Sequence, residues 1–192
     1  WNGRKMLDVN YAYSRDLIRY CVKRNTPIVY ASSAAIYGGS ADFSENVANE
    51  KPLNVYGYSK QLLDSFVRRY LGSVESQIVG LRYFNVYGPR EQHKGTMASV
   101  AYHLNRQMIE SGVLKLFEGS HGFAAGDQRR DFVYVEDAVN TTLWFGEHKS
   151  SSGIFNCGTG RAETFNEVAK AVVEWHGRGE IKYIPFPGEL EN

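Results

Sequence analysis

The chain has 192 residues, enough for about one domain, and 43% of them are hydrophobic, enough for a buried core. Its 22 basic and 21 acidic side chains give a net charge of +1, which does not favour a nucleic-acid partner. No apolar run approaches the ~20 residues of a membrane span, and no signal-peptide pattern opens the chain. Cys21 and Cys157 each sit in an apolar segment, so we expect buried thiols in a reducing compartment.

Apolar periodicity predicts an α/β fold in which buried strands alternate with amphipathic helices. The predicted helices cover about 5–24, 54–71, 97–111, 136–148 and 163–176. The predicted strands cover about 28–33, 77–84, 131–135, 154–157 and 181–184. Trp175 ends an apolar stripe on the last helix, and we expect it in the core.

Tyr56 and Lys60 are four residues apart in a predicted helix, so they share one face about one turn apart. A free tyrosine has a pKa near ~10, and a nearby lysine ammonium favours the phenolate. A tyrosine tuned in this way can take a proton from a hydroxyl or return one to a ketone. The pair suits alcohol–ketone redox chemistry, although the same spacing also arises by chance, with a half-buried aromatic beside a solvated lysine.

A second polar feature precedes that helix. The strand predicted over about 28–33 ends in Ser32 and Ser33, at the carboxyl edge where open α/β sheets place their ligands. A strand-end serine followed on the next helix by Tyr-x-x-x-Lys is far more specific than either part alone.

This constellation resembles the extended short-chain dehydrogenase/reductases, and the run Arg82-Tyr-Phe-Asn-Val-Tyr-Gly-Pro89 is similar to their nucleotide-sugar branch. The resemblance implies the later half of a Rossmann-type doubly wound parallel sheet, followed by a smaller C-terminal α/β substrate-binding region. We assign residues 1–90 to the cofactor-binding domain. Residues 91–192 form mainly the substrate-binding region, with about 131–150 returning to the first domain.

The same resemblance implies roles for single residues. Tyr56 would be the acid/base group, Lys60 would tune it and hold the nicotinamide ribose, and Ser33 would hydrogen-bond the reacting oxygen, with Ser32 as the weaker candidate. The other implied cofactor contacts are Val9, Asn10 and Val86, and Asn85 is implied to bind the sugar nucleotide. Asn10 otherwise reads as a polar helix-surface residue.

Two narrower blocks, His93-Lys-Gly-Thr-Met-Ala-Ser-Val100 and Leu116-Phe-Glu-Gly-Ser120, resemble the epimerases of ADP-linked heptoses within that branch. The resemblance implies that Lys94 is a second catalytic acid/base group. It also implies substrate contacts by Lys94, Thr96, His103, Phe117, Glu118, Gly119, Ser120 and Arg130. The loop 121–129 is longer than in those enzymes, which leaves Arg129 and Arg130 as alternatives, with Arg130 favoured.

The proposed chemistry of Lys94 also predicts what should surround its side chain. A lysine must be neutral to act as a base, so we expect burial or a cationic neighbour such as Arg90 or His93.

The implied activity is inversion at C6 of the heptose in an ADP-heptose through a transient ketone, for lipopolysaccharide core synthesis. The implied cofactor is NADP, with NAD possible. The implied setting is a cytoplasmic homo-oligomer, a pentamer by resemblance, without nucleic acid, membrane or metal. No Gly-x-Gly-x-x-Gly loop is present, since Glu163 stands where Gly158-Thr-Gly160 would need its third glycine. We therefore expect a longer protein whose N-terminal units hold the cofactor pyrophosphate.

Three alternatives stay open. A 4,6-dehydratase usually carries Thr-Asp-Glu at the strand end, whereas Ser32–Ala35 has no carboxylate. A UDP-hexose 4-epimerase shares the serine and tyrosine but gives no reason for the His-Lys-Gly block. A non-catalytic nucleotide-binding fragment or scaffold of the same fold is the alternative from another class.

Overall fold

The structure is a computed structural model that describes residues 2–119 and 122–185. The chain forms two compact units. Unit 1 comprises Trp1–Phe84 and Asp137–Cys157, and unit 2 comprises Asn85–Glu136 and Gly158–Asn192. Within the described ranges, none of the helices is long and apolar enough to cross a membrane.

The helices and strands alternate along the chain, which confirms the predicted α/β class. The helices are α1 (Gly3–Leu7), α2 (Ser14–Lys23), α3 (Val55–Arg68), α4 (Val100–Ser111), α5 (Val135–Glu147) and α6 (Phe165–His176). The strands are β1 (Ile28–Ser33), β2 (Ile78–Tyr83), β3 (Asn85–Tyr87), β4 (Val113–Phe117), β5 (Arg129–Arg130), β6 (Phe132–Tyr134), β7 (Gly153–Cys157), β8 (Glu163–Thr164) and β9 (Glu180–Ile184).

Unit 1 is built on a parallel sheet with the strand order β1-β2-β7. The register aligns Ile28 with Ile78 and Ser33 with Tyr83, so β1 and β2 end at the same edge. Strand β2 is buried along nearly its whole length, as expected for a parallel strand that helices cover. The carboxyl edge of this sheet carries Ser33, as predicted.

Unit 2 contains smaller pairs, parallel for β3 with β6 and for β4 with β9, and antiparallel for β5 with β8. The sequence analysis predicted β6 and β9 but missed β3, β4, β5 and β8. Three of the missed strands have only two or three residues, too few for an alternating pattern to appear. Strand β4 directly follows α4, and its apolar residues merge with the helical pattern.

Each unit has its own apolar core. In unit 1, buried residues of α2, α3 and β2 pack together: Ile18, Leu63, Phe66, Val67 and Ile78. In unit 2, buried residues of α4, β4 and α6 pack together: Leu104, Met108, Leu114, Leu116 and Ala169.

The prediction that Trp175 lies in the core is wrong, because this side chain is 86% exposed near the end of α6. The predicted burial of Cys21 and Cys157 is confirmed.

A charged network is buried beside the sheet of unit 1. The Arg82 side chain on β2 has no exposed surface, and its Nε donates to Asp64 Oδ2 on α3 at 2.9 Å. Its Nη1 donates to the Tyr37 hydroxyl at 2.9 Å, and its Nη2 donates to Glu50. Arg68 on α3 also donates to Glu50. Two cations thus face two carboxylates, and the network ties α3 both to β2 and to the segment that precedes α3.

We predict that Arg82→Met lowers the free energy of unfolding by about 3–5 kcal/mol. The substitution leaves Asp64 buried without its cation, and an uncompensated buried charge is strongly destabilising. Chemical denaturation of the purified protein measures the effect.

The matched control is Arg106→Met, which breaks an exposed pair with Glu110 on α4. A surface pair of this kind contributes about 0–1 kcal/mol. Equal losses for the two variants would contradict a structural role of the buried network.

Candidate active site

The helix that carries Tyr56 and Lys60 begins at a defined cap. The Asn54 side chain accepts a hydrogen bond from the Gly57 amide at 2.9 Å, which satisfies a backbone donor of the first turn. Helix α3 therefore starts at Val55, and Tyr56 lies in its first turn. The Tyr56 side chain is 39% exposed and so accessible to a ligand.

Gly57 brings this first turn close to the end of β1. A Cβ at Gly57 would lie 2.6 Å from the carbonyl oxygen of Ala35, a distance at which something must shift. Ala35 belongs to the short helical turn after β1, and its amide donates to Ser33 Oγ at 3.2 Å. The absence of a side chain at Gly57 thus lets the helix of Tyr56 pack against the turn that Ser33 caps.

Lys60 is held one turn further along α3. Its Nζ donates to the carbonyl oxygen of Ala31 on β1 at 2.9 Å and lies 6.0 Å from the centre of the Tyr56 ring. Burial lowers the pKa of the Lys60 ammonium, and the negative charge of Asp64 partly opposes this shift. The expected proximity of this lysine to Tyr56 and to the strand end is present in the structure.

Asn10 supports the same helix from another element. Residues Asp8–Tyr13 form a π-helical segment between α1 and α2, a conformation that is rare and often found at functional sites. Asn10 Nδ2 donates to Ser59 Oγ at 3.2 Å, and Ser59 Oγ donates to the Tyr56 carbonyl at 2.7 Å. Asn10 is therefore a partly buried contact of α3. Val9 is exposed.

In unit 2, Lys94 lies in a pair of helical turns over Gln92–Met97. Its Nζ is 3.3 Å from Glu91 Oε2, and its side chain is 41% exposed. The expectation that Lys94 is buried is wrong, because its side chain is accessible; the charged group that contacts it in the structure is a carboxylate.

The other predicted residues of unit 2 lie on several elements. Asn85 and Val86 are on β3, Thr96 is in the turns with Lys94, and His103 is on α4. Phe117 ends β4, and Glu118 and Gly119 follow it. Ser120 lies outside the described residues.

Arg129 and Arg130 form β5, and both are exposed. The Arg130 guanidinium lies 5.7 Å from the Phe165 ring, and its Nη1 donates to the Arg129 carbonyl at 2.7 Å.

The sequence analysis did not predict two carboxylates that neighbour the predicted lysines. Asp64 follows Lys60 by one helical turn, and Glu91 precedes Lys94 by three residues. Both spacings place side chains on one face of a helical turn, so a search for charges beside the predicted lysines would have found them. Among residues 2–119 and 122–185, no cluster of His, Cys, Asp or Glu is suited to hold a metal ion.

Comparison with known proteins identifies the family of the chain. The model of the NAD dependent epimerase/dehydratase family matches residues 2–158. The chain belongs to this family. The Rossmann-type fold implied by the strand-end serine and the Tyr-x-x-x-Lys motif is confirmed, and so is the epimerase resemblance drawn from the blocks at 93–100 and 116–120.

Individual relatives show which members of the family the chain is similar to. The chain is 59% identical over 191 residues to ADP-L-glycero-D-manno-heptose-6-epimerase of Alkalilimnicola ehrlichii, covering 100% of this chain and 60% of that protein. The structure of Helicobacter pylori ADP-L-glycero-D-manno-heptose-6-epimerase matches with a TM-score of 0.86 at 35% identity. The match covers 96% of this chain and 57% of that one. The structure of Thermus thermophilus UDP-glucose 4-epimerase, solved with NAD, matches with a TM-score of 0.73 at 29% identity. The match covers 95% of this chain and 60% of that one. The chain thus spans about three fifths of each relative.

We predict that Gly57→Ala lowers the free energy of unfolding by about 1–3 kcal/mol, because the new methyl group meets the Ala35 carbonyl and overpacks the contact. Thermal and chemical unfolding measure the loss.

Gly146→Ala is the matched control, since Gly146 is a helical glycine of α5 whose added Cβ meets nothing within 4 Å. That substitution should raise stability by up to about 1 kcal/mol through helix propensity. If Gly57→Ala were as favourable as the control, the close approach of α3 to the turn after β1 would be refuted.

Proposed function

We propose that this chain carries the catalytic residues of an epimerase that converts ADP-D-glycero-D-manno-heptose into ADP-L-glycero-D-manno-heptose by inversion at C6. The observation that carries the proposal is the 59% identity, over the whole chain, to a protein of that activity. The Tyr56–Lys60 pair beside the strand end supports it, because the pair suits the chemistry that such an inversion needs.

The inversion requires removal of a hydrogen from a carbon that carries a hydroxyl. If no neighbouring group acidifies that hydrogen, oxidation to a ketone is the practical route. A bound nicotinamide would supply this redox chemistry without being consumed, because the hydride removed in the oxidation would return to the opposite face of the ketone in the reduction. The protein must take the hydroxyl proton at each oxidation and supply one at each reduction.

The donor set of unit 1 fits such a cofactor. The Lys60 ammonium is half-buried at the strand end and suits hydrogen bonds to ribose hydroxyls, while Tyr56 is accessible beside it. The family description names NAD. We propose NADP as the cofactor on the resemblance to ADP-heptose epimerases, with NAD as the alternative. Asn10 and Val86 would complete the contacts, and the backbone of Val9 would add one.

Tyr56 and Lys94 would divide the proton transfers. A ketone presented in two orientations needs an acid/base group for each face, and a phenolate and an ammonium can act together. Starting from that pair, Tyr56 takes the hydroxyl proton from one epimer, and Lys94 gives a proton to the ketone oxygen in its other orientation. The Tyr56 hydroxyl then loses a proton to water and the Lys94 amine gains one from water, which restores the starting pair. The Glu91 carboxylate, 3.3 Å from Lys94 Nζ, holds the side chain that makes this second transfer. Ser33 would hydrogen-bond the reacting oxygen.

The remaining substrate contacts follow the same resemblance. Asn85 would bind the sugar nucleotide, and the surrounding contacts would come from Thr96, His103, Phe117, Glu118, Gly119, Ser120 and Arg130. The proposal includes a role in lipopolysaccharide core synthesis, a cytoplasmic location and a homo-oligomer, a pentamer by resemblance.

A UDP-hexose 4-epimerase is the second candidate. The similarity to Thermus thermophilus UDP-glucose 4-epimerase favours it, because the fold and the chemistry of transient oxidation are shared. The identity of 29% is half that to the ADP-heptose epimerase. A fragment that binds nucleotide without catalysis is the candidate from another class, and it predicts no turnover of either substrate.

The test supplies the complete protein with ADP-D-glycero-D-manno-heptose, without added cofactor, and follows the C6 configuration by NMR. We expect conversion to the L-glycero epimer by the cofactor retained through purification. Tyr56→Phe and Lys94→Met should each lower the rate by about 10²–10⁴-fold, because each removes an acid/base group.

Lys170→Met is the matched control, since Lys170 is an exposed lysine on α6 of the same unit as Lys94. Turnover of a UDP-hexose in place of the ADP-heptose would move the assignment to the second candidate. A Lys94→Met variant of normal rate would remove Lys94 from the mechanism.

A further inference from the structure

The segment between β3 and α4, residues 88–99, is organised around one buried carboxylate. Glu91 is 4% exposed, and four donors point at it. Its Oε1 accepts from the Gly88 amide at 3.2 Å and from Ser99 Oγ at 2.7 Å. Its Oε2 accepts from the Ser99 amide at 2.8 Å and from Lys94 Nζ at 3.3 Å. One side chain thus joins both ends of the segment to Lys94.

The backbone on both sides of Lys94 adopts conformations that need support. Arg90 has a φ of +68°, a region that residues with a side chain rarely adopt. Gly95 has a φ of +54° and a ψ of −127°, a conformation that favours glycine. Such conformations persist where surrounding contacts over-determine them. The bonds of Glu91 to Gly88 and Ser99 provide such contacts at both ends.

Glu91 keeps its charge in this setting. Burial raises the pKa of its carboxyl, but the hydrogen bonds from Ser99, Gly88 and Lys94 outweigh burial and hold that pKa below its usual value. A carboxylate that already accepts three other hydrogen bonds has little freedom to move. Its Oε2 is therefore a fixed negative point against which the flexible Lys94 side chain is held.

We propose that Glu91 is the positioning residue of Lys94, fixing both the ammonium group and the segment that carries it. This inference rests on the proposed role of Lys94 as the second acid/base group. In the step on the Lys94 side, an O–H bond forms as an N–H bond of the ammonium breaks, and the amine is left neutral. The reverse step returns the hydroxyl proton to Nζ beside Glu91. Glu91 itself gains and loses no proton.

The test compares Glu91→Gln with wild type in the complete protein with its bound cofactor. Each epimer is mixed with the enzyme in a single turnover, and near-ultraviolet absorbance follows reduction of the nicotinamide. Lys94→Met first identifies the epimer whose oxidation depends on Lys94. We expect Glu91→Gln to slow oxidation of that epimer on the order of 10²-fold, the effect of a misplaced catalytic group, and to leave oxidation of the other epimer unchanged.

A purely structural role of Glu91 predicts a different pattern, in which both epimers react more slowly. Equal slowing of the two epimers, or slowing of neither, would overturn the inference. Glu110→Gln is the control, because it removes a glutamate of an exposed pair from the same unit. It should change neither reaction.

Ser99→Ala keeps the inference testable if Glu91→Gln fails to fold. This variant removes the 2.7 Å donor to Glu91 and leaves the carboxylate beside Lys94. We expect a smaller loss with the same selectivity, on the order of 10-fold for the Lys94-dependent epimer alone. If Lys94→Met itself shows no selectivity between the epimers, the proposed function of Lys94 fails, and Glu91 loses its role with it. Failure of Glu91→Gln alone leaves Lys94 in place.

Discussion

Arg82 carries a full positive charge in a part of unit 1 that water does not reach, and surrounding hydrogen-bond acceptors compensate that charge. Asp64, Tyr37 and Glu50 all accept hydrogen bonds from its guanidinium. Such a network is costly to assemble and more costly to leave incomplete, so it specifies one arrangement of its parts. The network fixes α3 against β2. Tyr56 and Lys60 lie on α3, so their positions depend on this network.

The two predicted acid/base groups are supported in different ways. Tyr56 lies on a regular helix whose position is set by the Asn54 cap and by the contact of Gly57 with the turn after β1. Lys94 lies on an irregular segment whose backbone is held by a single carboxylate, Glu91. A helix can serve many related enzymes unchanged, whereas a segment of this kind can vary between them. This difference agrees with a shared oxidation chemistry and a substrate-specific second group.

Regular parts of the fold were predictable because their signals are local. Strand β1 has its predicted bounds, and α3 was placed to within a few residues by its apolar periodicity. The π-helical turn at Asn10 was not predictable, since it depends on contact with Ser59 on another helix. Trp175 has the spacing of a core residue, but its side chain is 86% exposed near the end of α6. The carboxylate beside Lys94 was missed because a lysine that acts as a base was expected to have cationic neighbours, not an anionic one.

The central claim is that C6 is inverted by hydride removal and return, with proton transfers confined to the oxygen. The most direct measurement runs the complete protein with ADP-D-glycero-D-manno-heptose in D₂O and determines isotope content and configuration at C6 of the product. A hydride held on a bound nicotinamide does not exchange with solvent. The account predicts inverted product with protium at C6. Deuterium at C6 would mean that the carbon was deprotonated, and it would contradict oxidation to a ketone as the route.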